Sequence, residues 1–372
     1  MVADPSLWKS IDLWRLIRRS STHKGGYWTF PRKTSLVQSF LTRYTSGSLK
    51  ELRIHVVVNG KIQNLLKDQC HNLQSLDIVI NANDMDFSCL PIKLKHLTLA
   101  FTCNTKWQNL PSGDIPSNMH LQSLCLRYAK ITYDFCSSLI HSDVIKKLRF
   151  DGCTWQVLPS EFRILSDRFS SLKAFYLISC HFPSPSCIYG IIHQMSSKCR
   201  QLNTFELNQP FIIGYQRDGL NHRLDGILES IGNWRTELDT LRISAAGGLS
   251  LNGLATITSV MHHNLKELSL TSCADVTNDF LKLISVNLSN LLFLNMSGCR
   301  RVTDVGLRYL CHHGSIRELH INGCSCLSED CILATIKTMA ELRVLTLPGW
   351  RGYNVCADLV QALRPRVKVQ YW

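Results

Sequence analysis

The sequence predicts an α/β solenoid in which short parallel strands alternate with helices. One observation is a phrase of the form Leu-x-x-Leu-x-Leu, with other aliphatic residues or Phe as substitutes, which returns about a dozen times between Leu49 and Leu347. The other is the change to helical spacing between phrases, as in Val305, Leu307 and Leu310. A chain that repeats one strand and one helix buries its leucines only by stacking neighbouring units.

The repeats are most regular late in the chain, where successive phrases begin about 25 residues apart. These phrases begin at Leu265, Leu291, Ile316 and Leu342. Earlier phrases are less evenly spaced and begin at Leu49, Leu73, Leu94, Leu121, Ile145, Leu172, Leu202 and Leu238. This period is typical of a leucine-rich repeat.

Within each phrase the x-Leu-x-Leu portion alternates, so the leucines face the core and the intervening residues face the other side. A helix must cross back before the next parallel strand begins, which gives a right-handed coil. We therefore expect a leucine-rich-repeat horseshoe with strands on its concave face and helices on its convex face.

The turn after each late strand carries a cysteine, at Cys273, Cys299 and Cys324. We expect these thiols to be buried and to donate weakly to loop carbonyls. The hydroxyl residues Thr277, Thr303 and Ser328 follow them and are predicted to cap the next helix.

Composition narrows the class of protein. The chain has 372 residues, 16 cysteines and a formal net charge of +13. Cysteines at repeat positions, without an apolar leader, favour reduced thiols in the cytosol or nucleus. The sequence contains no apolar run long enough for a membrane span and no motif for a cofactor, so we expect neither membrane nor cofactor binding.

The segment before the repeats reads Asp4-Pro5-Ser6-Leu7-Trp8, followed by Ile11-Asp12-Leu13. This decapeptide resembles the closing segment of an F-box. With cysteine-bearing repeats behind it, the chain resembles F-box and leucine-rich-repeat proteins along essentially its whole length. The resemblance implies an adaptor-side surface that includes Pro5, Leu7 and Trp8.

In that family the F-box docks on a SKP1-like adaptor, which joins a cullin scaffold, while the repeats capture the protein to be ubiquitinated. The resemblance thus implies a noncatalytic substrate receptor of an SCF ubiquitin ligase. The earlier F-box helices would precede residue 1, so we expect a truncated F-box here. The alternative is a stand-alone repeat scaffold or inhibitor that is not coupled to ubiquitination.

The expected domain organisation has four segments. Residues 1–20 are the F-box remnant, 21–48 a connecting segment and N-terminal cap, 49–352 the repeats, and 353–372 a capping helix and strand. Target-binding residues are those that alternate with the strand leucines. They include Arg53, Arg127, Lys147, Arg149, Tyr176, Arg242, Glu267 and His320.

Arg127, Lys147 and Arg149 are predicted to form a basic patch with Tyr176 as an aromatic anchor, suited to carboxylates or a phosphorylated residue. Scattered surface charge is the alternative. Nucleic-acid binding is not favoured, because stacking aromatics are not interleaved with the basic residues.

A group of cysteines and two pairs of histidines are candidates for metal binding or catalysis. Cys324, Cys326 and Cys331 lie near His320, but without a Cys-x-x-Cys pair they favour packing over zinc. The pairs His262-His263 and His312-His313 precede strands, which favours helix-end capping over acid–base catalysis. The sequence shows no enzyme signature.

Overall fold

The computed structural model describes residues 9–13, 31–44, 47–81, 85–102, 119–139, 144–213, 224, 226–234, 237–347 and 354–371. The chain divides into two units, residues 1–172 and residues 173–372, and each is described by itself.

Unit 1 alternates strands with helices. Its strands are β1 (Ser10–Asp12), β2 (Glu51–Val57), β3 (Ser75–Ile80), β4 (His96–Phe101), β5 (Ser123–Arg127), β6 (Lys130–Ile131), β7 (Lys147–Asp151) and β8 (Thr154–Trp155). Its helices are α1 (Pro31–Tyr44), α2 (Gly60–Gln69), α3 (Tyr133–Leu139) and α4 (Pro159–Ser166), with a 3-10 turn at Phe87–Cys89.

The main sheet of unit 1 is parallel, in the order β1-β2-β3-β4-β5-β7. One apolar residue from each strand stands in register across it, forming the row Ile11, Leu52, Leu76, Leu97, Leu124 and Leu148. All six side chains are buried. Each such burial stabilises the fold by about 1.5–3 kcal/mol.

Unit 2 continues the same alternation. Its strands are β9 (Ala174–Ile178), β10 (His181–Phe182), β11 (Thr204–Asn208), β12 (Phe211–Ile212), β13 (Thr240–Ser244), β14 (Glu267–Ser269), β15 (Phe293–Asn295), β16 (Glu318–His320), β17 (Val344–Leu347) and β18 (Lys368–Tyr371). Its helices are α5 (Pro185–Lys198), α6 (Ile227–Gly232), α7 (Leu251–Met261), α8 (Asn278–Asn287), α9 (Asp304–Arg308), α10 (Glu329–Thr338) and α11 (Asn354–Leu363).

The main sheet of unit 2 is also parallel, in the order β9-β11-β13-β14-β15-β16-β17-β18. Its buried row runs through Phe175, Phe205, Leu241, Leu268, Leu294, Leu319 and Leu345. Aromatic residues therefore replace leucine in the first two repeats of this row. The predicted leucine-rich-repeat solenoid with inward-facing leucines is confirmed. Helix α11 and strand β18 lie in the segment predicted to cap the repeats, and their capping role stays a prediction.

Short second strands, which the sequence patterns did not indicate, follow some turns. In unit 1, β6 pairs with β8, and in unit 2, β10 pairs with β12. Each is two residues long and places one residue in the core, such as Ile131 and Trp155.

A left-handed residue follows the strand in most repeats of unit 2. Ala245, Ser272, Gly298 and Gly323 have φ values of 50°, 55°, 77° and 71°. The amide of each of the first three donates to the next repeat, as from Ala245 to the Thr271 carbonyl at 2.8 Å. The residue after each turn points inward, which positions the repeat cysteines.

The turn cysteines behave as predicted. Cys273, Cys299 and Cys324 are fully buried, and their thiols donate to carbonyls of the preceding repeat at 3.6, 2.9 and 3.1 Å. The carbonyls belong to Ile243, Leu270 and Met296.

The predicted hydroxyl caps are correct in position but only partly in chemistry. Thr277, Thr303 and Ser328 all occupy the N-cap, yet only Ser328 accepts an amide hydrogen bond from its own helix. The hydroxyl of Thr303 instead accepts from the side chain of Asn278 at 2.9 Å, which links two repeats. No helix among the described residues has the length and apolarity needed to cross a bilayer.

Candidate protein-binding surface

The residues that alternate with the buried rows form one side of each sheet, here called the strand face. In unit 1 the third strand positions stand in register across this face as the row Asp12, Arg53, Asp77, Thr98, Cys125 and Arg149. The row mixes both signs of charge because acidic residues separate the arginines.

The arginines of the unit 1 strand face lie close to carboxylates. Arg53 lies 3.9 Å from Asp12, Arg127 lies 3.9 Å from Asp77, and Arg149 lies 3.5 Å from Asp151. These pairs are partly exposed, so water screens them and each contributes about 0–1 kcal/mol.

His55 lies on the same strand face, near the end of β2. Burial lowers the pKa of His55, while the nearby carboxylates of Asp77 and Asp12 oppose that shift.

The predicted basic patch of Arg127, Lys147 and Arg149 is accompanied by carboxylates, because Asp77 and Asp151 lie close to its two arginines. These carboxylates reduce the net charge that an incoming anion would meet.

On the unit 2 strand face, the third positions form the row Tyr176, Glu206, Arg242, Ser269, Asn295, His320 and Thr346. The first positions form the row Ala174, Thr204, Thr240, Glu267, Phe293, Glu318 and Val344. These two rows carry three glutamates and one arginine.

Arg242 is held by carboxylates from both neighbouring strands. Its Nε and Nη2 each lie 2.5 Å from Oε1 of Glu267, and its Nη1 lies 3.6 Å from Oε2 of Glu206. Glu206 is 9% exposed, so the guanidinium neutralises a carboxylate that has lost most of its water. Arg242 itself remains partly exposed.

Phe293 is next to this ion cluster, because the strand register pairs it with Glu267. It stands between Glu267 of β14 and Glu318 of β16, and its ring contacts His320 in a tilted arrangement, with centroids 4.7 Å apart and an interplanar angle of 40°. Burial lowers the pKa of His320, although Glu318, whose Oε2 lies 3.7 Å from Nε2, opposes the shift. The imidazole is therefore mainly neutral at pH 7.

A groove with a volume of about 560 Å³ opens on this strand face. Glu206 and Arg242 lie at its lining, and Phe293 contributes an aromatic wall. Hydroxyl and amide side chains supply the remaining polar lining, namely Asn208, Gln209, Ser244, Ser269, Thr271, Ser272 and Asn295. The groove can thus hydrogen-bond a polar ligand while offering one apolar surface.

The structure places the predicted target-binding residues on the two strand faces. Those in unit 1 are Arg53, Arg127, Lys147 and Arg149, and those in unit 2 are Tyr176, Arg242, Glu267 and His320. Their role in binding stays a prediction. Pro5, Leu7 and Trp8 lie outside the described residues.

Sequence reasoning missed Glu206, Phe293 and Glu318. All three occupy the alternating positions of their strands, so the signal was present in the period-two pattern. What the pattern lacked was the register, which brings Glu206 and Glu267 to opposite sides of Arg242.

The cysteine and histidine clusters have structural roles in their repeats. The Cys331 thiol lies 3.5 Å from the Asp304 carbonyl and Cys326 is exposed, and among the described residues no group of three or more His, Cys, Asp or Glu is placed to bind a metal. His313 is buried with Nε2 3.1 Å from the Leu288 carbonyl, and His262 Nδ1 lies 2.9 Å from the Ser259 carbonyl. His262 caps the end of its own helix α7, as predicted, whereas His313 contacts the C-cap residue of α8 in the preceding repeat.

The fold and this surface define a leucine-rich-repeat protein with a polar strand face. No model of a known protein family matches the chain. Among solved structures, the chain is similar to one in the crystal structure of the Rad7 and Elc1 complex in yeast. The TM-score is 0.54 and the identity 14%, over 90% of this chain and 79% of that chain, a similarity that shows the fold.

Proposed function

We propose that this protein is the noncatalytic substrate-recognition subunit of an SCF-type ubiquitin ligase. In this role a SKP1-like adaptor binds the F-box-like segment around Pro5, Leu7 and Trp8, and a cullin scaffold binds the adaptor. The strand faces of the repeats capture the protein to be ubiquitinated.

The observation that carries the proposal is the pairing of the F-box-like segment with the first repeat. Ile11 and Asp12 belong to β1, which is parallel to β2 and in register with Leu52 and Arg53. Ile11 and Leu13 are 3% and 2% exposed, so this end of the segment is part of the repeat core. An adaptor bound just before β1 would be held at a fixed position relative to the strand face of unit 1.

The comparison with solved structures supports a role in protein assembly. The Rad7 and Elc1 structure is that of a complex, so this fold occurs in a chain assembled with another protein. Strand faces of solenoids are extended surfaces suited to such binding.

Three buried thiols are poorly suited to accept ubiquitin as nucleophiles, which agrees with a noncatalytic role. Burial raises the pKa of Cys273 and Cys136 to about 12 and that of Cys324 to about 11. A thiol needs its thiolate form to act as a nucleophile, and these residues are almost entirely protonated at neutral pH. Ubiquitin transfer would then belong to other subunits.

The proposal is tested by recovery of the adaptor. The chain is expressed with any coding sequence that its transcript carries before Met1, and the precipitate is probed for a SKP1-like adaptor and a cullin. We expect both to be recovered. The double variant L7A/W8A should reduce adaptor recovery about tenfold or more, because buried aromatic anchors dominate interfaces.

The matched control is Tyr309→Ala, which removes an exposed aromatic side chain just after α9. It should leave adaptor recovery unchanged. Recovery of a target without any adaptor would contradict the ligase assignment and favour the stand-alone repeat scaffold or inhibitor.

A further inference from the structure

The strand face of unit 2 has the opposite charge balance to the chain as a whole. The chain carries a formal net charge of +13, yet the two strand rows from β9 to β17 contain Glu206, Glu267 and Glu318 against Arg242 alone. The imidazole of His320 adds little positive charge because burial lowers its pKa. The next basic strand residue is Lys368 in β18, two strands beyond Glu318.

Arg242 is a poor receptor for an anion. Its Nε, Nη1 and Nη2 already face Glu206 and Glu267, and an incoming carboxylate or phosphate would have to displace Glu267 at 2.5 Å while remaining near both glutamates. Like charges at such distances repel strongly where water is partly excluded. Arg242 therefore fixes the glutamates in place and leaves the site with an excess of negative charge.

Phe293 supplies an independent feature that favours a cation. Its ring is partly exposed beside the groove, and the register puts Glu267 on one side and Glu318 on the other. Neighbouring strands lie about 4.8 Å apart, so Glu267 and Glu318 flank Phe293, with Glu267 directed toward Arg242 and Glu318 toward His320. Aromatic faces attract ammonium and guanidinium groups, with a larger gain when the cation is partly desolvated.

The groove provides space for the part of the ligand that carries the cation. Its volume of about 560 Å³ lies within the range of about 300–1,000 Å³ that ligand sites occupy. The hydroxyls of Ser244, Ser269 and Thr271 and the amide of Asn295 line it, and they can hydrogen-bond the backbone that carries the cation.

We infer that the strand face beside Phe293, at the edge of the groove, receives an arginine or lysine side chain from the protein that this chain captures. The basic group lies over the Phe293 ring and pairs with Glu267 and Glu318, while Arg242 positions Glu267 from the neighbouring strand. The inference rests on the proposed function in so far as the strand face is the capture surface, and it adds the chemistry of the captured segment.

The first test is a selection from a library of random short peptides with the full chain as bait. We expect the selected peptides to be enriched in arginine or lysine at one position. Enrichment in aspartate, glutamate or phosphorylated residues, or failure to select any peptide, would overturn the inference.

The second test measures the affinity of one selected peptide for three variants by fluorescence anisotropy. The double variant E267Q/E318Q removes both charges but keeps an oxygen that can accept from Arg242, and Phe293→Leu removes only the aromatic face. Each should weaken binding about fivefold or more. When the basic residue of the peptide is replaced with alanine, wild type and Phe293→Leu should bind the peptide with the same affinity.

The matched control is Glu341→Gln, which removes one carboxylate from an exposed position just before β17. It should leave the affinity unchanged, and equal melting temperatures of all variants establish that they are folded. A loss with Glu341→Gln as large as that with E267Q/E318Q would attribute the effect to general charge and overturn the inference.

The peptide selection does not involve the adaptor, so the two proposals fail separately. Basic peptides selected by a chain that recovers no adaptor would remove the ligase assignment and leave this inference standing. Adaptor recovery by a chain that selects no basic peptides would support the ligase assignment and overturn this inference.

Discussion

The thiol of Cys299 donates a 2.9 Å hydrogen bond to the carbonyl of Leu270 in the preceding repeat. Cys299 is fully buried, and burial raises the pKa of its thiol. Cys324 makes the same contact with Met296 one repeat later. A small polarizable side chain thus fills each turn and donates to a buried carbonyl, although the Met296 carbonyl also accepts from the Cys299 amide at 3.0 Å.

Substitution of Cys299 by alanine should destabilise the protein by about 1–3 kcal/mol, because it leaves a small cavity and an unsatisfied buried carbonyl. The measurement is the free energy of unfolding in urea. Cys326→Ala is the matched control, since Cys326 is exposed in the turn of the following repeat, and it should change stability by less than about 0.5 kcal/mol. Equal losses for the two variants would contradict the packing role of the turn thiol.

How far the sequence determined the fold can be judged from particular residues. The rows of Leu268, Leu294 and Leu319 were predictable because a period of two and a repeat of about 25 residues fix both direction and spacing. The strands of Lys130–Ile131 and Phe211–Ile212 were not, because two residues carry no periodicity.

The candidate site was less accessible to sequence reasoning. Arg242 was recognised as outward-facing, but its pairing with Glu206 and Glu267 depends on residues far away in sequence that only the strand register brings together. For the same reason the sequence did not show that the charge of Arg242 is neutralised within the protein.

Ala245 provides a test of backbone strain, because it adopts a left-handed φ of 50° that glycine accepts more readily. Ala245→Gly should raise the free energy of unfolding by about 0.5–1 kcal/mol. The same substitution in the helix α7, Ala255→Gly, should lower it by about 1 kcal/mol. Chemical denaturation of both variants checks the opposite signs, and destabilisation by Ala245→Gly would show that the turn is not strained.

His313 should make stability depend on pH. Burial lowers its pKa from the ordinary value of 6.5, although the hydrogen bond with Leu288 opposes the shift. The unfolded state therefore binds more protons, so the stabilisation is complete above pH 6.5 and is lost as pH falls through the pKa of the folded state.

The expected result is a free energy of unfolding that decreases as the pH falls through 6.5 and further toward the lowered pKa of the folded state. His313→Gln should flatten part of this decrease, since glutamine can still donate to the Leu288 carbonyl but does not titrate. His312→Gln is the control because His312 is exposed. In this variant the free energy of unfolding should change with pH as it does in the wild type. An unchanged slope in His313→Gln would exclude His313 as a source.

The pair of Arg242 and Glu267 should contribute a measurable coupling energy. A double-mutant cycle with Arg242→Met and Glu267→Gln should give a coupling energy of about 1 kcal/mol, because two donors of Arg242 share one carboxylate oxygen. The partial exposure of Arg242 keeps the value from being larger.

The comparison pair is Arg343 and Glu341, which lie 4.0 Å apart with side chains 64% and 50% exposed. Water screens that pair, so its cycle should give no measurable coupling. Raising the salt concentration should reduce the first coupling, because Arg242 is partly exposed and mobile ions screen it. Equal couplings in the two cycles would mean that Arg242 does not fix the glutamates of the groove, and the charge argument for a basic ligand would lose its positioning residue.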